Sequence, residues 1–374
     1  MRLVVTGGGT GGHIYPALAI AKETLSLLPG AKVLYIGTSH GMESGIVPRE
    51  GIPFQPVRSS GVMGKKARDA LRGLTNASAG VLDAIRTLRA FRPDAVLGTG
   101  GYASGPVVMA AWLLRIPRAI QEQNAVPGKT NQVLSRLSQR VFAAWDYSVP
   151  YFRNRTKVLV TGNPVRKDLF GVKKEEGRLH FKITGDDPVI LLLGGSRGAK
   201  TLTEAGLALA RSGLPANLIF ITGREYYTEV VNQLNAEPEN GIEGARIGNI
   251  IIRPYVHEMA LAYSAADLVI GRAGGMTLSE VTALGLPSVI VPSPNVAGNH
   301  QEYNARALED KGAAIIIREK GNQDPAGDVC HAVSDLICDR SRLLDMSLAS
   351  KAVGKPDATG NICRELVRLA RGEG

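Results

Sequence analysis

Two apolar runs in this chain each end in a cluster of glycines and continue into a helical pattern. Leu3-Val4-Val5-Thr6 leads into Gly7-Gly8-Gly9-Thr10-Gly11-Gly12-His13, and Val189-Ile190-Leu191-Leu192-Leu193 leads into Gly194-Gly195-Ser196-Arg197-Gly198. A strand that turns through glycines into a helix presents backbone N–H groups at the positive end of the helix dipole. That geometry suits an anion, usually a phosphate. One such turn opening each half implies two Rossmann-like domains facing one cleft, with a phosphorylated substrate between them.

The pattern between the turns fits that plan. Strand-like runs at 3–6, 33–36, 95–97, 118–121, 141–144 and 158–161 are followed by a second series at 189–193, 218–222, 247–252, 268–270, 288–291 and 313–317. Helical segments separate most of them, which predicts parallel sheets covered on both faces. Right-handed crossovers then place the loops at the strand C-termini along one edge. The two halves meet near Thr161-Gly162-Asn163-Pro164, ahead of a charged connection from Arg166 to Asp187.

At 374 residues, two domains are the natural expectation. The apolar stretch from Val107 to Leu114 is too short to span a bilayer, and the N-terminus lacks the pattern of a signal peptide. Cys330, Cys338 and Cys363 show no metal-ligand spacing and fit a reducing compartment. The net charge of +10 suits phosphorylated substrates or an anionic surface. Nucleic acid is disfavoured, because aromatics are 5% and no helix-turn-helix, zinc or RNA-binding signature is present.

Gly7 to Gly12 satisfies GxGxxG, but a dinucleotide site also needs an acidic residue at the end of the second strand. Here that strand ends Tyr35-Ile36-Gly37-Thr38, and its counterpart ends Phe220-Ile221-Thr222-Gly223-Arg224. Neither carries the carboxylate. His13 begins the first helix, where it either takes a proton from an attacking hydroxyl or is held as a structural residue. The loop Gly98-Thr99-Gly100-Gly101-Tyr102 either wraps a second phosphate-bearing ligand or makes a tight turn needing positive φ.

Glu122, in Gln121-Glu122-Gln123-Asn124, is an acid–base or hydroxyl-ligand candidate or part of a solvated loop. Thr277 and Glu280 fit a T-x-x-E capping box; alternatively the helix start holds a diphosphate and Glu280 grips ribose hydroxyls. Gln301 offers a donor and an acceptor for sugar hydroxyls, or is an ordinary helix start. Lys65, Lys66, Arg68 and Arg72 precede Leu82, Ile85 and Leu88, which sit at core-like spacing beside Arg86, Arg89 and Arg92. That stretch reads as a contact with anionic lipid or as a core helix with a solvated basic face.

Five motifs occur together and in order: Gly8-Gly9-Thr10-Gly11-Gly12-His13, Gly100-Gly101-Tyr102, Thr161-Gly162-Asn163-Pro164-Val165-Arg166, Gly194-Gly195-Ser196-Arg197-Gly198-Ala199 and Thr277-Leu278-Ser279-Glu280. In that order and spacing, from Met1 to about Arg371, the chain resembles the glycosyltransferase family 28 enzymes that complete lipid II in bacteria. The resemblance implies a GT-B fold of two Rossmann-like doubly wound domains. They would comprise an acceptor and membrane-side domain at 1–162, a UDP-sugar donor domain at 163–350, and a C-terminal helix at 351–374 that returns to the first domain. It implies inverting transfer of N-acetylglucosamine from UDP-N-acetylglucosamine to the C4 hydroxyl of lipid I, with no cofactor and no essential metal. No Asp-x-Asp pair is placed to hold a metal on the diphosphate. It also implies a peripheral position on the cytoplasmic face of the cell membrane, with cell-wall synthesis and division proteins as partners.

By the same resemblance, Ser196 and the segment Gly275, Met276, Thr277, Leu278 and Ser279 cradle the donor diphosphate, with Arg166 as a nearby cation. Glu280 holds the ribose, Val256 lies beside the uracil, and Asn124 and Gln301 serve the donor sugar. Thr10, Gly11 and Gly12 meet the transferred sugar. His13 is the base; Glu122 is a second catalytic candidate from its place at the strand end alone. Tyr102 belongs to the acceptor side, and Leu74, Ile85 and Trp112 join Lys65, Lys66, Arg68 and Arg72 at the membrane. His300 stands where the family usually has Gln. The alternatives are a GT-B transferase acting on a diacylglycerol or small aglycone, a UDP-sugar epimerase, and a binding-only protein.

Overall fold

The computed structural model describes residues 1–59, 67–195 and 198–373, with side chains described outside 67–77 and 297. The chain divides into two units, Met1–Val165 with Lys355–Gly374, and Arg166–Gly354.

In the first unit the strands are β1 (Arg2–Thr6), β2 (Lys32–Gly37), β3 (Phe54–Pro56), β4 (Ala95–Gly98), β5 (Arg118–Glu122), β6 (Arg140–Ala143) and β7 (Val158–Val160). The helices are α1 (Gly11–Leu27), α2 (Glu43–Arg49), α3 (Ala67–Phe91), α4 (Gly101–Leu113) and α5 (Lys129–Ser135). The strands lie in the order β3-β2-β1-β4-β5-β6-β7, every pair parallel. Both faces of this sheet are covered, so β1 reads as a continuous apolar run rather than an alternating one. Leu3 and Val5 pack with Ile14, Ala17 and Leu18 of α1, while Val4 points to the opposite face with Ala84, Leu88 and Val107.

The second unit contains β8 (Val189–Leu193), β9 (Asn217–Ile221), β10 (Glu237–Pro238), β11 (Ala245–Ile247), β12 (Ile250–Arg253), β13 (Leu268–Gly271), β14 (Ser288–Ile290) and β15 (Ala314–Ile316). Its helices are α6 (Lys174–His180), α7 (Lys200–Arg211), α8 (Tyr227–Leu234), α9 (Met259–Ala265), α10 (Gly275–Ala283), α11 (His300–Glu309), α12 (Pro325–Cys338) and α13 (Arg340–Val353). The strand order is β10-β11-β12-β9-β8-β13-β14-β15. It is parallel except where β10, β11 and β12 pair antiparallel at one edge. The run 247–252, read from sequence as one strand, is two. Gly248, at φ +55°, turns the chain so that Ile247 pairs with Ile250. A Gly-Asn pair between β-branched residues is a hairpin signal.

The chain then returns to the first unit as α14 (Ala358–Ala370). Ile362, Cys363 and Leu366 join the α1 side of the first core, and Thr359 Oγ1 donates to Val165 O at 2.8 Å.

Each sheet reverses its strand order beside its first strand, between β1 and β4 and between β8 and β13. Loops leaving the C-terminal ends of such strands flank the crevice where open α/β sheets take ligands. All four of those loops are glycine-rich.

Candidate functional site

In the first unit the loop after β1 carries Gly9 at φ +86°, and the loop after β4 carries Gly100 at +106° and Gly101 at +74°. The two loops touch backbone to backbone: a Cβ on Gly101 would lie 2.0 Å from Gly8 O. Only glycine permits both that approach and that φ. Gly101→Ala is therefore expected to destabilise the first unit by about 2–4 kcal/mol. Denaturant unfolding checks it; a loss below about 1 kcal/mol would mean that the loops can part.

Buried side chains fix the first turn. Tyr35 OH donates to Gly7 O at 2.8 Å. Glu43, fully buried, accepts from Gly9 N at 3.2 Å and from Thr38 N and Oγ1 at 3.0 and 2.6 Å. Burial and the Glu43 carboxylate push the Tyr35 hydroxyl far up from its ordinary range. One N–H of the turn read as an anion cradle thus already faces a protein carboxylate. Glu43 escaped the sequence reading because it lies on α2, far along the chain from the glycines it holds.

His13 sits in the first turn of α1, partly exposed. Its Nδ1 is 3.0 Å from Thr99 O and 3.1 Å from Gln123 Oε1, and Thr99 Oγ1 donates to His13 O at 2.6 Å. A Cβ on Gly100 would lie 2.8 Å from Nδ1, so the glycine makes room for the imidazole. Thr10, Gly11 and Gly12 are exposed or partly exposed beside it. The Tyr102 ring covers Gly9, where an added Cβ would meet Cε1 at 2.8 Å, and Ser59 Oγ holds Tyr102 O at 2.7 Å.

Glu122, the acid–base candidate, anchors the loop that follows β5. It is 1% exposed and accepts from Asn124 N (2.9 Å), Asn124 Nδ2 (3.2 Å), Gly128 N (3.1 Å) and Asn131 Nδ2 (2.8 Å). Burial pushes its pKa above the usual carboxylate range against the pull of those donors. Asn124 is drawn to Glu122 by two of these bonds. Replacing Glu122 by Ala leaves the donors unmatched and is expected to cost about 1–3 kcal/mol in stability. An unchanged melting temperature with lost activity would restore the acid–base role.

In the second unit the loop after β8 begins with Gly194, whose N–H donates to Ile221 O at 2.7 Å. Ser196 of this loop lies outside the described residues. The loop after β13 runs into α10, which starts at Gly275 with Gly274 at its N-cap. The T-x-x-E capping box does not form, because the helix starts two residues before Thr277 and has no side-chain cap. Glu280 instead accepts from Tyr263 OH at 3.0 Å and lies 3.9 Å from Arg166 Nε. Arg166 in turn lies 3.7 Å from Asp168. Burial pushes the pKa of Glu280 up from the ordinary carboxylate range; Arg166 and the Tyr263 hydroxyl pull it down, and Asp168 pushes it up.

The segment 275–280 divides by face. Met276 and Thr277 are partly exposed, but Leu278 is wholly buried in the core and Ser279 Oγ donates back to Gly275 O at 2.8 Å. The Leu278 and Ser279 side chains are thus corrected from ligand contacts to packing residues; their backbone still belongs to the helix start. Val256, after β12, is 7% exposed. Gln301 accepts from Ser293 N at 2.9 Å through Oε1, which fixes its amide, and partly exposed His300 precedes it. Buried Asn304 donates to Ala273 O at 3.1 Å and holds the β13 loop, a contact no local pattern announces.

On the outer helices of the first unit, Lys65 and Lys66 lie outside the described residues, as do the side chains of Arg68, Arg72 and Leu74. Ile85 is partly buried and packs against the core beside Val81, as its core-like spacing suggests. Leu82, read at core spacing, is 56% exposed, and Trp112 on α4 is 43% exposed. Trp112 borders a recess shared with Leu113, Arg115, Arg118 and Gln139. Among the described residues no helix is long and apolar enough to cross a membrane, and no cluster of three or more His, Cys, Asp or Glu could hold a metal ion.

Two open, mainly parallel sheets of this order, each with glycine loops at its reversal, define the GT-B fold, and the family match makes the chain a glycosyltransferase. Residues 3–143 match the glycosyltransferase family 28 N-terminal domain and residues 189–362 its C-terminal domain, and the chain belongs to that family. Over 367 residues it is 40% identical to the UDP-N-acetylglucosamine--N-acetylmuramyl-(pentapeptide) pyrophosphoryl-undecaprenol N-acetylglucosamine transferase of Desulforamulus reducens, covering 97% of each chain. It is 42% identical to the protein of the same name from Desulforudis audaxviator over 373 residues, covering 99% of each. The crystal structure of Acinetobacter baumannii MurG superposes with a TM-score of 0.75 at 29% identity, covering 98% of this chain and 99% of that one. A UDP-GlcNAc 2-epimerase from Neisseria meningitidis shares the fold alone, with a TM-score of 0.68 at 17% identity over 98% and 100% of the two chains.

Proposed function

We propose that this enzyme moves N-acetylglucosamine from UDP-N-acetylglucosamine to the C4 hydroxyl of the muramyl sugar of lipid I, giving lipid II for peptidoglycan. The observation that carries this reading is the near full-length likeness to transferases named for that reaction. It favours the lipid-linked acceptor over a diacylglycerol or a small aglycone.

The donor is α-linked and the product β-1,4-linked, so the reaction inverts. His13 takes the proton from the C4 hydroxyl as that oxygen bonds to the sugar's C1. The bond from C1 to the diphosphate oxygen breaks, and UDP leaves with the electron pair. The helix start at Gly275 and the Arg166 guanidinium stabilise the charge developing on the diphosphate. Glu280 accepts from the ribose hydroxyls, Gln301 and Asn124 meet the donor sugar, and Val256 lies beside the uracil. Thr10, Gly11 and Gly12 meet the transferred sugar, and Tyr102 faces the acceptor side.

The lipid acceptor puts the enzyme at the cytoplasmic face of the membrane as a peripheral protein. The exposed Trp112 and Leu82 and the basic residues Arg115 and Arg118 support a contact there. Cell-wall synthesis and division proteins are the partners this place implies.

The test is transfer of labelled N-acetylglucosamine from UDP to a short-chain lipid I analogue, with a diacylglycerol as the competing acceptor. Transfer to the first alone is expected. Tight UDP-N-acetylglucosamine binding without transfer to lipid I would overturn the acceptor.

A further inference from the structure

Behind His13 lies a chain of buried amides whose orientations are dictated by their neighbours. Gln123 Nε2 is 2.6 Å from Thr99 O and 3.3 Å from Gln121 O. Both are backbone carbonyls, which only accept, so the amino group of Gln123 faces them and its Oε1 faces the imidazole at 3.1 Å. The same group also donates to Gln121 Oε1. That contact leaves Gln121 Nε2 to donate to Asn163 Oδ1 at 2.7 Å, and Asn163 Nδ2 donates to Gln123 O at 3.1 Å. Gln121, Gln123 and Asn163 are all buried. Flipping any one of them sets like against like, acceptor against acceptor at Gln123 and also donor against donor at Gln121 and Asn163, at about 1–3 kcal/mol for each group left unmatched.

His13 Nδ1 therefore meets two acceptors, Thr99 O at 3.0 Å and Gln123 Oε1 at 3.1 Å. A ring nitrogen between two acceptors carries the proton, and in a neutral imidazole the other nitrogen is then the base. We propose that Gln123 is a positioning residue which, with Thr99 O, holds neutral His13 as the Nδ1–H tautomer and so makes Nε2 the atom that receives the acceptor's proton. The inference rests on the reading of His13 as the base. Once Nε2 is protonated, Nδ1–H still donates to both oxygens, and bonds from a charged donor are the stronger kind. The arrangement thus favours the imidazolium formed as the C4 oxygen bonds to C1 and UDP departs.

The first measurement needs no variant. Two-bond proton–nitrogen correlation spectra of the full-length protein labelled with ¹⁵N-histidine, taken at alkaline pH where the ring is neutral, report which nitrogen carries hydrogen. The His13 signals are assigned from their loss in His13→Asn. A protonated Nδ1 and an unprotonated Nε2 are expected; the opposite pattern overturns the proposal.

The second measurement is Gln123→Leu. Mixed tautomers are expected, with kcat lowered about tenfold and the KM for UDP-N-acetylglucosamine held within about twofold. An unchanged spectrum with an unchanged kcat removes Gln123 from any positioning role. Full transfer by His13→Ala would overturn the base reading on its own, because the wild-type spectrum does not depend on activity.

Discussion

His13→Ala is expected to lower kcat for N-acetylglucosamine transfer by about 10²–10⁴-fold, the usual worth of a positioned general base. Binding of UDP should be unchanged, because the proposed nucleotide contacts lie on Arg166, the α10 start and Glu280, all in the other unit. The variant should also fold. His13 is only partly buried, and the backbone bond that Thr99 Oγ1 makes to its carbonyl survives the substitution. Calorimetry with UDP and steady-state transfer to a lipid I analogue separate the two effects. A variant that keeps its kcat would return His13 to a structural residue at a helix start. One that loses UDP affinity in step with activity would point to disturbance beyond the imidazole.

Much of the architecture was legible because parallel strands covered on both faces leave a plain mark. Leu3-Val4-Val5 and Val189 to Leu193 are unbroken apolar runs, and each stops at glycines that the next backbone needs. The hairpin at Gly248-Asn249 was hidden because its flanks, Ile247 and Ile250 to Ile252, read as one strand until the Gly-Asn pair is given weight. The site was legible only in part. His13 and Gln301 stand out because they sit at helix starts after glycine or loop segments, and Glu280 because it follows the glycines of such a start on the same short helix.

Their partners do not stand out. Glu43 beneath Gly9, Tyr263 against Glu280 and Asn304 against Ala273 lie 34, 17 and 31 residues from the groups they hold. Tertiary packing brings those pairs together, and no period of 2 or 3.6 encodes them. Of the two readings of T-x-x-E at Thr277, the cap is the one that does not form: the spacing suits it, but α9 offers Glu280 the Tyr263 hydroxyl instead. Leu82 falls outside the core while Ile85 and Leu88 pack against it, because three apolar residues at helical spacing define a stripe without fixing its edge.

Glu280→Ala is expected to raise the KM for UDP-N-acetylglucosamine about 10²-fold with little change in kcat. A hydrogen bond to a charged group contributes about 1.5–3 kcal/mol, and the ribose hydroxyls would be held in ground state and transition state alike. The pH dependence follows from the surroundings of this carboxylate. Burial holds its pKa above the ordinary range; Arg166 and the Tyr263 hydroxyl oppose that, and Asp168 adds to it. Protonation removes the acceptor the ribose needs, so donor affinity should fall as pH drops through that raised value, before ordinary carboxylates titrate. Tyr263→Phe deletes a donor that favours the charged form. The acid limb of donor affinity should therefore move to higher pH, while affinity above it stays close to wild type. A 2′-deoxyribose donor supplies the control, since Glu280→Ala should cost it less than the normal donor. Equal losses for both donors would separate Glu280 from the ribose, and an acid limb that stays in place in Tyr263→Phe would show that Arg166 alone keeps the carboxylate charged.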